Sequence, residues 1–405
     1  MMYGADGLQP EYEAAAQTEQ FPEKLDRLLL CRRFGMPLMG LTLMGILWLT
    51  VWGANYPGVW LETLFGWGYD GLYRMFSGLP GWLSGVLLDG VYATCARVIS
   101  VTLPPMAIFF PLFTILEETG YLPRMAFLLD PFMTKCGGCG KQALTMCMGL
   151  GCNAVGVMGC RIIDSPRERL SAILTNAMIP CNGRFPTLIV LGSLFFSEAG
   201  AALVVAACVA LGAVMAAVIS GVLNRKLFRS ETSAFSVELP PLRRPRLGQI
   251  LIRSFVDKTL LTAGRALVMA APAGALLWLL SNTSALGATA AFLEPVGAAL
   301  GMNGLILTAF ILSLPANELL IPVILMGLTG SSLVATGSIG SDILLQSITW
   351  QTAVCMMVFT LFHWPCSTTL LTIFRETDSI KKTAAAFVLP TAVGCILCAA
   401  LKLLL

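Results

Sequence analysis

The chain has 405 residues, 56% hydrophobic and only 12% charged, with 26 Lys and Arg against 23 Asp and Glu and a mean hydropathy of +0.78. Soluble domains carry about 25% charged residues, so this composition excludes a soluble globular protein and points to an integral membrane protein. A net charge of +3 with no Lys/Arg-rich run excludes a nucleic-acid binder, and thirteen Cys at irregular spacings, many inside apolar runs, exclude a disulfide-stapled secreted domain.

In chain order, an N-terminal segment, 1–35, has no signal-peptide pattern and ends in Lys24, Arg27, Arg32 and Arg33, which the positive-inside rule places in the cytoplasm. Stretches without Asp, Glu, Lys or Arg follow at 34–61, 98–116, 185–197, 199–224, 266–293, 295–317, 319–341, 343–374 and 383–401. Most exceed the roughly 18 residues that a helix needs to cross a bilayer. They predict an all-α polytopic membrane protein with about eight transmembrane crossings and both termini cytoplasmic. Pro104–Pro105, Gly149–Gly151, Pro180, Pro315 and Pro365 interrupt these stretches. Broken or re-entrant helices are tolerated only where backbone is buried in protein or lines a cavity, the pattern of a transporter or channel. The loop 224–265 holds nine Lys/Arg against three acids and reads as a basic cytoplasmic linker and amphipathic segment between a first membrane half, 36–223, and a second, 266–405. Its charge also suits anionic lipid.

The pattern C-x8-R-x2-D-S occurs twice, as Cys152, Arg161, Asp164, Ser165 and as Cys366, Arg375, Asp378, Ser379, 214 residues apart. Each copy has a carboxylate upstream (Glu117 and Glu118; Glu318) and a Pro downstream (Pro180; Pro390). Two repeats, each with an interrupted helix, predict a substrate site near the bilayer midplane at their interface. Ser165–Pro166–Arg167–Glu168 is a capping box that starts a helix running toward Pro180.

Gly149–Asn153 is expected to be an unwound bend, because Gly permits φ > 0 and close backbone approach, freeing carbonyls for a cation while Cys152 adds a thiolate. Cys152 also suits a simple packing kink, since free Cys is among the most buried residues. Glu318 is the only charged residue between Glu294 and Asp342 and reads as an intramembrane carboxylate on an ion path. Glu117 and Glu118 read either the same way or as a helix end in the headgroup layer. His363, the single His, lies one turn before Cys366 and suits a ligand or a packed core position; one His builds no usual transition-metal cluster. Cys136 and Cys139 form a lone C-x2-C whose neighbours match neither a zinc ribbon nor a ferredoxin. The same stretch fails the phosphate-loop pattern, with Lys135 in place of the first Gly and Gln142 in place of Ser/Thr. With no nucleotide motif and no convincing nucleophile–base pair, no enzyme is expected.

Three groups of residues resemble the first gate region of FeoB-type ferrous iron transporters: Leu116–Glu117–Glu118–Thr119–Gly120–Tyr121–Leu122–Pro123–Arg124, Gly149–Leu150–Gly151–Cys152–Asn153–Ala154–Val155 and Pro180–Cys181–Asn182–Gly183–Arg184–Phe185–Pro186. The second gate region is similar to Pro315–Ala316–Asn317–Glu318, Pro365–Cys366–Ser367–Thr368–Thr369 and Arg375–Glu376–Thr377, and the approach to the first span is matched by Leu25–Leu28 and Gly53–Pro57. The resemblance covers about residues 24–400. It implies Fe2+ as transported substrate, no permanently bound cofactor, a bacterial inner membrane, and Cys152 and Cys366 as translocation-site thiols. Asn153, Glu118, Glu318, Cys181, Asn317 and His363 complete the candidate metal set. The family usually carries a GTP-binding domain ahead of its membrane part, whereas about 35 residues precede the first span here. Either a separate small G protein or a FeoA-like subunit serves as partner, or the membrane unit works without nucleotide control, or the chain is a degenerate relative; lipid and further copies of the chain are the other expected partners. Thiols favour soft metals while carboxylates and amides suit Fe2+ or Mn2+, so a permease for Mn2+ or Zn2+ and a non-transport gating or assembly subunit are the alternatives.

Overall fold

The computed structural model describes residues 29–405 apart from 77, 79, 137, 197, 228–247, 249–250, 253, 284 and 330–337. Most of the N-terminal segment and most of the basic linker expected above lie outside the described residues. Among the described residues all regular structure is helical. The main helices are α1 (Arg32–Met75), α2 (Ala93–Glu118), α3 (Tyr121–Cys136), α4 (Gly140–Gly151), α5 (Asn153–Gly159), α6 (Pro166–Asn176), α7 (Phe185–Phe195) and α8 (Glu198–Val222) in the first half. In the second half they are α9 (Leu261–Ser281), α10 (Ala285–Ala299), α11 (Gly304–Leu312), α12 (Leu320–Thr329), α13 (Ser338–Ser347), α14 (Trp350–Phe362), α15 (Ser367–Thr377) and α16 (Ile380–Leu404).

The 44 residues of α1 extend roughly 66 Å at 1.5 Å per residue, about twice the thickness of a hydrocarbon core. α1 packs along α2, which a π-helical stretch, Gly85–Tyr92, extends at its N-terminal end. α9 lies against α2 and this π-helical stretch, and it approaches closely because Gly90 and Gly274 face each other: a Cβ on Gly90 would sit 3.0 Å from the Gly274 carbonyl. Exposed Trp48, Trp52, Tyr56 and Trp60 recur every four residues along one face of α1. Such a face suits lipid rather than water.

Six helices among the described residues are long and apolar enough to cross a membrane, or seven if α10 and α11, bent by 107°, count as one span. One uncharged stretch is too short as a helix to cross, and another is described only in part. The stretch 185–197 becomes α7, whose 11 residues reach only about 16 Å. The stretch 319–341 contributes the ten residues of α12 before the described residues stop. α7 and α12 both help build the interior, in a core that includes Phe185, Leu188, Leu320, Val323, Phe310 and Phe359.

The two halves repeat one arrangement, in a register different from the 214-residue spacing of the cysteine–arginine motif. Asp130 accepts a hydrogen bond from the Gly140 N–H at the start of α4 (2.8 Å), and Glu294 accepts one from the Gly304 N–H at the start of α11 (2.6 Å). Both carboxylates precede a Pro, both stand ten residues before the Gly they cap, and a Cβ on either Gly would strike the preceding helix. Gly304 follows Gly140 by 164 positions, and on that spacing Asn317 corresponds to Asn153. Further on, Pro365–Cys366 corresponds to Pro180–Cys181, 185 positions earlier. The pairs α3–α4 and α10–α11, α6–α7 and α14–α15, and α8 and α16 are thus equivalent.

The cysteine–arginine motif has a different physical meaning. It marks α5 and α15, which run side by side from Cys152 and Cys366 and end at an ion pair between Arg161 and Glu376.

Candidate functional site

Four helix breaks converge between the repeats: Cys152 between α4 and α5, 177–184 between α6 and α7, 313–316 between α11 and α12, and 363–366 between α14 and α15. Ser165 caps α6 as expected, its hydroxyl 3.5 Å from the Glu168 N–H, with Pro166 at the first helical position. The helix stops at Asn176, before Pro180. The first break is narrower than expected. α4 stays helical through Gly151, and Cys152 alone is extended (φ −153°, ψ 123°). Gly149 and Gly151 do not have positive φ; among the described residues only Gly120, Gly301 and the non-glycine Asp378 do. They are needed for close approach: the Phe109 ring of α2 fills the place of a Gly151 side chain, and the Asn176 amide lies 3.0 Å from where a Gly149 Cβ would stand.

Asn153 is buried and committed to this packing. With its amide nitrogen turned toward them, it reaches the carbonyls of Gly149, Asn176 and Ile179, each at 3.2 Å. Asn176 returns a bond to the Asn153 carbonyl at 3.1 Å.

Asn317, its counterpart, faces a different environment. Its Oδ1 lies 3.3 Å from His363 Nε2, while His363 Nδ1 faces the Thr360 and Phe359 carbonyls at 2.9 and 3.2 Å. Those carbonyls require a proton on Nδ1, so in the neutral imidazole Nε2 is an acceptor and the Asn317 side chain meets it with its amide nitrogen turned inward as donor. His363 is buried among Phe310, Phe359 and Trp364.

Glu318 crosses to the other repeat. Its Oε2 lies 3.0 Å from where a Gly183 Cβ would be. The carboxylate is half-buried; its own backbone N–H is within hydrogen-bond reach, and among the described residues no side chain pairs with it. Cys152, Cys181 and Cys366 lie within electrostatic reach of one another, and Cys181 also within reach of Glu318. The Cys366 Sγ is 3.0 Å from the Thr368 hydroxyl and 3.2 Å from that of Thr369. Ser367 ties the third break to the fourth, N–H to the Leu314 carbonyl (2.9 Å) and hydroxyl to the Pro315 carbonyl (3.2 Å).

One candidate is not brought in. Glu118 is exposed at the C-terminal end of α2, nine residues beyond Phe109, or about 13 Å along the axis. It and Glu117 occupy a helix end, one of the two placements open from sequence. Cys136 and Cys139 are free thiols, as are the other cysteines. Among the described residues no three His, Cys, Asp or Glu side chains form a group able to hold a metal ion by themselves, so an ion here needs amide, hydroxyl or carbonyl oxygens as well.

The fold also uses Arg184, to which no role was given from sequence. It is fully buried; Nη1 donates to the carbonyls of Ala177 (2.7 Å) and Leu361 (2.8 Å), and Nη2 to those of His363 (3.0 Å) and Trp364 (3.4 Å). A signal was present: Arg184 is the only charged residue between Arg169 and Glu198, the same isolation that marked Glu318.

The family described as nucleoside recognition, Gate, matches residues 99–195 and again 263–380, together more than half of the chain. The two matches begin 164 positions apart and end 185 apart, the same two spacings that the helix caps and the Pro–Cys breaks show. The family of the ferrous iron transport protein B C terminus matches residues 205–256. Among curated relatives, the Fe(2+) transporter FeoB of Synechocystis sp. is 27% identical over 378 residues, 90% of this chain and 60% of the relative. That of Staphylococcus aureus is 29% identical over 389 residues, 92% of this chain and 57% of the relative. A fusion of Fe(2+) transport protein A with Fe(2+) transporter FeoB, from Porphyromonas gingivalis, is 30% identical over 250 residues, 61% of this chain and 29% of the relative. The chain thus spans about three fifths of the length of the first two. No solved structure matches it.

Proposed function

We propose, because the chain belongs to the Gate family and within it to the FeoB-type ferrous iron transporters, that it carries Fe2+ across a bacterial inner membrane through a site between its two repeats. The observation that carries this reading is the Glu318 carboxylate, half-buried between apolar helices and facing Gly183 of the other repeat, with no side chain paired to it among the described residues. An unpaired intramembrane charge is expensive and marks an ion path. Cys181, Cys366 and Cys152 supply thiols beside it, and Asn317, Thr368 and Thr369 supply oxygens, so the ion meets a mixed set of soft and hard donors. Each donor belongs to a helix break or the first turn after it, and rocking one repeat against the other exposes the site to either side in turn.

Asn153 holds the first break in shape, and Glu118 lies on the approach at a membrane surface. Both termini lie in the cytoplasm, the side favoured by the basic residues before α1 and in the linker. Catalysis is assigned to no residue. A FeoA-like subunit or a small G protein is the partner this reading accommodates, in keeping with the fusion to transport protein A in one relative.

The test is anaerobic 55Fe2+ uptake into proteoliposomes holding this chain alone, with Mn2+ and Zn2+ as competitors. Saturable uptake, reduced at least about tenfold in Cys366→Ser at equal reconstitution, is the expected result. Stronger competition by Mn2+ or Zn2+ than by unlabelled Fe2+ reassigns the substrate, and no uptake from well-folded protein favours a partner-dependent or non-transport role.

A further inference from the structure

We propose that Arg184 is a positioning residue: it ties together the ends of α6 and α14, equivalent half-helices of the two repeats, and so fixes the separation of the Cys181 and Cys366 thiols. This deepens the transport reading and rests on it.

Arg184 has no carboxylate partner among the described residues. Its four contacts are all main-chain carbonyls: one, Ala177, just past the end of α6, and three, Leu361, His363 and Trp364, in the last turn of α14 and just beyond it. The last carbonyls of a helix have no partner within the helix and carry the negative end of its dipole. Where a helix stops inside a membrane protein, water does not replace the missing donors. One guanidinium, with five N–H groups in a rigid plane, serves two such ends at once; an ammonium group has neither the reach nor the planar fork.

The tie is close to the thiols. Cys181 is three residues before Arg184, and Cys366 is two residues after Trp364. Both cysteines therefore sit on short tethers from the same guanidinium. The engaged carbonyls are also withdrawn from the ion, which leaves it the side-chain donors. In the repeat register the position of Arg184 is Thr369 in the second half, so the connection is made once, by the first repeat reaching into the second. A residue serving only its own repeat would not distinguish the halves in this way.

Purified full-length chain with Arg184→Lys or Arg184→Met tests the proposal. Monodispersity and thermal melting report folding, and membrane-permeant bis-maleimides of increasing spacer length, which add to both thiols and are read by mass spectrometry, report the Cys181–Cys366 separation. The unsubstituted chain should cross-link best with the shortest spacer. Folded Arg184→Lys should lose about fivefold in that yield, shift its optimum to a longer spacer, and lose about tenfold in Fe2+ uptake. A spacer profile unchanged in a folded variant overturns the proposal, as does a parent chain that does not cross-link these two cysteines. Failure of both variants to fold also overturns it, by making Arg184 a residue of the fold alone. If the parent chain takes up no Fe2+, the transport reading fails while the spacer profile still judges the tie.

Discussion

Glu318 and Arg184 are both lone charges in long uncharged stretches, and the fold treats them in opposite ways. The two terminal nitrogens of the buried guanidinium are held by four carbonyls, and the half-buried carboxylate has no side-chain partner among the described residues. A charge that the fold satisfies is a structural part, whereas one left unsatisfied costs stability that only function repays. Glu318→Gln should therefore cut Fe2+ uptake about tenfold or more while leaving the melting temperature unchanged or higher; a fall in both, by initial rates and by scanning fluorimetry, would assign the carboxylate to the fold. Asn153 is predicted to behave in the reverse sense. Its amide serves three carbonyls, each bond worth about 1 kcal/mol net, so Asn153→Ala should lower stability by about 2 kcal/mol or more and leave the apparent affinity for Fe2+ unaltered in the protein that folds. A changed affinity at unchanged stability would return Asn153 to the ion site. Sequence alone treats these residues alike, as polar groups at breaks, because it does not say which carbonyls lie within reach of each.

At the scale of elements, the uncharged stretches locate the membrane part well, and Pro and Gly locate the breaks. The stretches do not tell a crossing from a bent arm, since composition is the same for a helix that spans lipid and one packed inside protein. The repeat register was hidden for a related reason. The obvious match, cysteine to arginine, lies on α5 and α15, which pack side by side, whereas the equivalent positions are the less conspicuous Asp130–Pro131 and Glu294–Pro295 with Gly140 and Gly304. These carboxylates satisfy the first N–H of a short inner helix and oppose the positive end of its dipole. Asp130→Ala and Glu294→Ala should each cost about 1 kcal/mol, read as faster deuterium exchange confined to the first turn of α4 or α11. Exchange that rises equally throughout the chain would mean that these contacts hold no individual helix.

For the whole molecule, the two repeats are joined at depth by Arg184 and at the far ends of α5 and α15 by Arg161 and Glu376. In the latter pair Nε and Nη2 of the guanidinium lie 2.8 and 2.7 Å from the two carboxylate oxygens. The Arg161 side chain is 70% exposed and that of Glu376 11%. A pair open to solvent at its guanidinium end contributes about 1 kcal/mol and is weakened by salt, so it does not hold the fold together. It lies, however, at the end of the two half-helices that begin at Cys152 and Cys366, where a small change in their angle is largest. If transport moves one repeat against the other, this contact is remade in each cycle and its loss should alter rate rather than binding. Arg161→Glu and Glu376→Arg are each expected to change the maximal Fe2+ uptake rate about three- to tenfold with little change in half-saturating Fe2+. The double reversal should restore most of the rate, and high salt should narrow the differences. Single reversals that change half-saturation instead, or a double reversal no better than the singles, would separate this ion pair from the movement of the repeats and leave that coupling to Arg184.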